Sequence, residues 1–213
     1  MKKVILMIAF VTIAVTNSNA QTTTTTDNRE TLSFGLKVGA NYSNVYDSEN
    51  QDFIADSKFG FAGGGFVTIP FGKFIGIQPE IMFSQKGFKS SGTYLGSTYS
   101  MTRTTDYIDV PLLFAVKPIN EVTLLFGPQF SYLLSQKDYF TGGSISTTQQ
   151  DDFNNDNLRK NTFGLTGGAD FNVDNFVLGL RAAWDVNNNN GDGTSTTPRY
   201  KNRLIQATVG YKF

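Results

Sequence analysis

From Leu32 to Phe213 the chain repeats one pattern, in which apolar and polar positions alternate. A period of two sends successive side chains to opposite faces of a strand, whereas a helix repeats every three to four residues. Eight such segments follow one another. The first sets Phe34, Leu36, Val38, Ala40 and Tyr42 against Gly35, Lys37, Gly39 and Asn41. The third sets Ile75, Ile77, Ile81 and Phe83 against Gly76, Gln78, Glu80 and Ser84, and the fourth sets Ile108, Val110, Leu112 and Phe114 against Tyr107, Asp109 and Leu113. The seventh opposes Leu178, Leu180 and Trp184 to Gly179, Arg181 and Asp185, and the last carries Ile205, Ala207, Val209, Tyr211 and Phe213 on one face. Each segment is near the roughly 9–11 residues that a tilted strand needs to cross a bilayer.

The connections alternate in length. Pro70-Phe71-Gly72-Lys73, Pro118-Ile119-Asn120-Glu121 and Asp174-Asn175 predict tight turns, while Ser43 to Ser57, Lys89 to Thr102, Gln136 to Arg159 and Val186 to Tyr200 predict long polar loops. Short turns at one rim and long loops at the other characterise a transmembrane barrel. The expected fold is therefore an all-β, eight-stranded antiparallel up-and-down barrel, with short periplasmic turns and long extracellular loops.

One parity is nearly free of charge. The other carries Lys37, Glu80, Lys86, Asp109, Lys117, Asp170, Arg181, Asp185 and Lys212. A lipid-facing Lys or Arg at the bilayer midplane costs about 2–4 kcal/mol, so the charged parity is expected to point inward. An eight-stranded barrel has an interior just wide enough for side chains, which predicts a lumen plugged by an ion-pair network among these nine residues. Aromatics collect near strand ends: Tyr42, Phe83, Tyr132 and Trp184 toward the long loops, and Phe71, Phe74, Phe176, Tyr211 and Phe213 toward the short turns. They are candidates for the two aromatic girdles at the lipid–water interfaces.

The segment before Leu32 differs. Lys2 and Lys3 precede an apolar run from Val4 to Val15, and Ser18-Asn19-Ala20 supplies small residues for cleavage. That is the form of a signal peptide over residues 1–20. A Thr-rich stretch, 21–31, is expected as a flexible lead-in to a single barrel domain over 32–213.

Composition narrows the chemistry. The 213 residues contain no Cys and no His, and 18 Lys plus Arg balance 18 Asp plus Glu. Disulfides, thiolate or imidazole catalysis and the commonest metal ligands are absent from the start, and no basic excess invites nucleic acid. Asp185 to Gly193 (DVNNNNGDG) fails as a calcium loop, because the sixth residue is Asn190 and the twelfth Thr196 instead of Gly and Glu. Gly63-Gly64-Gly65 lacks the Lys of a phosphate loop and is expected to let the sheet bend. No catalytic, cofactor or metal site is expected.

The stretches GLKVGANYSN, GFAGGGF, GIQPEIMFSQKGFK, YIDVPLLF, FGPQFSYLLS and the terminal VGYKF together resemble the PorT-like family of small outer-membrane β-barrels of Gram-negative bacteria. The resemblance covers Leu32 to Phe213. It implies contact with outer-membrane lipid, insertion by the barrel-assembly machinery, and a role for Phe213 in the assembly signal. Three functions stay open on the residues alone: a structural or partner-binding barrel acting through its outer loops, a narrow porin-like solute channel, and a secreted lipocalin-like carrier of a small ligand.

Overall fold

A computed structural model of the chain describes residues 28–47, 55–94, 97–142, 145–151, 159–189 and 200–213. The expected signal segment 1–20 and residues 21–27 of the lead-in lie outside the described residues. The alternating segments form β1 (Ser33–Asp47), β2 (Asp56–Pro70), β3 (Ile75–Tyr94), β4 (Ser97–Ile119), β5 (Val122–Gly142), β7 (Asn161–Val173), β8 (Phe176–Asp185) and β9 (Tyr200–Lys212), with a short β6 (Ile145–Asp151) between β5 and β7. All neighbours pair antiparallel, and β1 pairs with β9 from Gly35–Lys212 to Asp47–Tyr200. The backbone N–H of Phe213 donates to the Phe34 carbonyl at 2.8 Å and completes the seam. The result is a closed ring of eight strands, with β6 added outside it on the far end of β5.

The short turns all lie at one rim. Ile119 pairs with Val122 across Asn120-Glu121, and Val173 with Phe176 across Asp174-Asn175. Asp174 takes a left-handed φ of 52°, a conformation that Asp tolerates in tight turns.

The described residues in two of the four expected loops are largely strand. β3 and β4 stay paired to Tyr94–Ser97, so Lys89 to Thr102 is a hairpin. Within Gln136 to Arg159, β5 runs on to Gly142 and β6 folds back along it, pairing Gln136 with Asp151 and Gly142 with Ile145. Both stretches are rich in Ser and Thr and leave no apolar period to read. β3, β4, β5 and β6 thus form a sheet that extends beyond the ring by roughly 30 Å of strand.

Burial settles which way the faces point. Leu36, Leu112 and Val209 are 61%, 51% and 52% exposed, whereas Lys37, Glu80 and Arg181 are 3%, 4% and 4% exposed. Apolar residues cover the outside and charged ones the inside, the reverse of a soluble carrier. The lipocalin-like alternative fails on that inversion. Exposed aromatic rings lie at both ends of the apolar belt. Tyr42 lies 4.9 Å from Phe59 at the outer rim. At the inner rim the rings of Phe176, Tyr211, Phe213 and Phe34 run in contact, with successive centroids 5.5, 5.3 and 5.5 Å apart. Such a surface is stable only in lipid.

Nitroxide labels on single cysteines at positions 36, 112 and 209 should relax strongly with oxygen and weakly with a water-soluble nickel reagent. Labels that neither reagent reaches would place these positions in a dry protein interior and refute the inside-out barrel.

Candidate functional site

The interior is a polar core built by one parity of every ring strand. Its centre is a chain of charges that spans the lumen. Lys37 projects from β1, and its Nζ donates to Glu80 Oε2 on β3 at 2.5 Å. Arg181, from β8 on the opposite wall, lies 3.5 Å from Glu80 Oε1 and 2.8 Å from Asp170 Oδ1 on β7. Gln78 joins the two carboxylates, donating to Glu80 Oε1 at 2.9 Å and to Asp170 Oδ2 at 3.2 Å. Its own amide oxygen accepts from Thr68 Oγ1 at 2.8 Å. Five strands, β1, β2, β3, β7 and β8, are tied together by side chains as well as by backbone.

Small residues make room for these long side chains. In register, Lys37 faces Gly64 on β2, where any Cβ would stand 2.0 Å from the Ile81 carbonyl oxygen. The glycine run therefore lets β2 and β3 approach closely beneath the lysine. Gly179 does the same for Asp170: a Cβ there would lie 2.5 Å from Thr208 Oγ1 and 2.9 Å from Asp170 Oδ1.

A second layer lies nearer the outer rim. Lys86 Nζ donates to Asp109 Oδ1 at 2.9 Å and sits 4.5 Å from the centre of the Tyr107 ring. Asp185 is buried but forms no ion pair among the described residues; Asn202 donates to it through Nδ2 at 2.7 Å. Asn41 accepts from Gln206 at 2.9 Å and donates to Ser84 Oγ at 2.9 Å.

Lys117 and Lys212 depart from the expected pairing. They lie at the inner mouth, where Lys117 Nζ donates to the Arg29 carbonyl and Lys212 Nζ to Asn172 Oδ1, each at 2.8 Å. The inner carboxylates are already engaged by Arg181, so the terminal lysines turn to uncharged oxygens. Arg29 was not foreseen: residues Asn28–Glu30 form one turn of 3-10 helix, and its guanidinium donates to the Pro118 carbonyl at 3.1 Å and lies over the Phe74 ring. The end of the lead-in is thus docked under the barrel.

The outer mouth is closed by a cluster that sequence patterning missed. Phe88, Tyr200 and Val45 form a small apolar core, and Arg103 donates to the Tyr200 hydroxyl at 2.8 Å and to both Asp138 oxygens. Burial opposes the charge on Arg103, but Asp138 and Tyr200 outweigh it and raise its pKa above the ordinary value. Burial raises the Tyr200 phenol, against the pull of Arg103. Asp138 lies in a stretch read as a loop, and Arg103 directly follows another. For Phe88 a signal existed, since it continues the inward parity of Ser84 and Lys86.

Among the described residues the lumen has a cavity of about 20 Å³ beside Glu80, Asp109 and Arg181 and one of about 40 Å³ at the inner mouth. Spaces of that size hold a few water molecules, at roughly 10–15 Å³ each.

Comparison with known proteins places these features in context. A family model described as outer membrane protein beta-barrel domain matches residues 19–190. Among solved structures, the chain is similar to Ail, the attachment invasion locus protein of Yersinia pestis, at 16% identity and a TM-score of 0.46, over 85% of this chain and 98% of that one. It is similar to Neisserial surface protein A at 12% identity and a TM-score of 0.48, over 84% and 97%. OprG from Pseudomonas aeruginosa follows at 13% identity and a TM-score of 0.41, over 88% and 98%. No curated protein matches the chain.

Glu80→Ala leaves Lys37 and Arg181 facing each other without their shared counter-ion. It should destabilise the barrel by about 3–5 kcal/mol, read as a lower urea midpoint of the refolded protein, while Lys117→Ala at the mouth should cost far less. Equal midpoints for Glu80→Ala and the wild type would refute the pairing.

Proposed function

The chain belongs to the outer membrane protein β-barrel domain family, and we propose that it serves there as a closed barrel whose outer sheet and loops engage a partner or brace the envelope. The observation that carries this reading is the cross-lumen link from Lys37 through Glu80 to Arg181 and Asp170. A passing solute would have to break several buried ion pairs, each costly to separate in a low-dielectric interior. A conducting role is therefore disfavoured. Catalysis is disfavoured by the absence of His and Cys and by the engagement of the central inward carboxylates in pairs.

The outer sheet is the surface best suited to recognition. It presents Tyr139 and Phe140 exposed, with Phe140 stacked on Tyr99 at 6.0 Å, and aromatic side chains on a rigid sheet are favourable contact anchors. The PorT-like resemblance supports insertion by the barrel-assembly machinery. Phe213 fits a role in that recognition, since it is 61% exposed on the lipid face.

Purified protein in planar bilayers should give no reproducible conductance steps; discrete, voltage-stable openings would favour the channel. Intact outer membranes crosslinked and solubilised should yield a partner with the wild type that is lost when Lys137–Gln150 is replaced by a two-residue turn. Identical recovery with and without that hairpin would remove the sheet as the contact surface.

A further inference from the structure

The inner mouth concentrates positive charge that the central network does not use. Lys117 near the end of β4, Lys212 at the end of β9 and Arg29 ahead of β1 all line the cavity of about 40 Å³. Asp170 is the one carboxylate on that lining, and Arg181 at 2.8 Å and Gln78 at 3.2 Å already hold it. Each ammonium has three donors, while Lys117 donates to one carbonyl and Lys212 to one amide oxygen. Neither lysine forms an ion pair among the described residues. Asn120 and Thr123 add neutral donors on the same wall. The like charges of Lys117 and Lys212 around one cavity repel unless an anion joins them.

We propose that this mouth is a phosphate-binding site, with Arg29, Lys117 and Lys212 as its cationic ligands. Phosphate fits better than a carboxylate because its several charged oxygens satisfy donors arriving from three separate elements at once. The opening faces the periplasm and the inner leaflet, so the group can belong to a dissolved phosphate or to a phospholipid head.

Refolded full-length protein in a neutral sugar detergent should bind inorganic phosphate saturably by calorimetry, with sodium chloride at matched ionic strength giving no isotherm. Lys117→Gln combined with Lys212→Gln should weaken binding by about tenfold or more, and the paired Arg substitutions should hold it within about threefold. In bilayers containing phosphatidylglycerol, loss of the phosphate isotherm identifies the lipid head as the occupant, and its persistence identifies the dissolved ion. A wild-type barrel that takes up no phosphate in detergent overturns the proposal without recourse to any variant. An unchanged isotherm in the folded double-Gln barrel overturns it equally.

Discussion

Inside hydrocarbon, an unpaired backbone amide or carbonyl has no water to turn to, and each one costs several kcal/mol. The rest of this structure follows from that constraint. A sheet with two free edges would expose two rows of such groups, and pairing β1 with β9 removes both. Closure fixes the strand number and with it the diameter. Diameter then decides that the interior is filled by side chains instead of a water column.

Once the ring is closed, the inward parity has to be satisfied within a narrow and mostly dry space. Charged residues survive there only with partners, because the attraction between them must offset the loss of hydration. Glu80 meets this by taking Lys37 from one wall and Arg181 from the other, while Asp170 and Gln78 saturate what remains. Glycines at 64 and 179 give up side-chain volume beside these groups. Small and long residues are thus complementary parts of one packed core. Lys117 and Lys212, which the Glu80 network does not use, lie around the cavity at the inner mouth.

Outside the lipid the rules change. β3, β4 and β5 continue well past the bilayer because pairing to one another satisfies their backbones as well as water would. Phe88, Tyr200 and Val45 supply a small apolar anchor at the base of that extension, and Arg103 with Asp138 braces it. The barrel is closed at its outer end by packing and across its middle by charge.

Much of this was legible in the order of residues. Alternation with a period of two identified eight crossing strands, the uneven connections identified the two rims, and parity assigned Lys37, Glu80, Asp109, Asp170 and Arg181 to a common face. Local chemistry suffices for such inferences, since a strand's two faces are set by its own backbone. Pairing partners were not legible, because Lys37, Glu80 and Arg181 lie far apart in the chain and only the register of the closed ring brings them together. The same holds for Arg29 beneath the mouth, and for hairpins whose polar faces leave no period. Nor does alternation by itself say whether the apolar side faces lipid or a core. That was decided by the closed ring, which encloses Lys37, Glu80 and Arg181 where they can pair with one another and leaves Leu36, Leu112 and Val209 exposed on the outside.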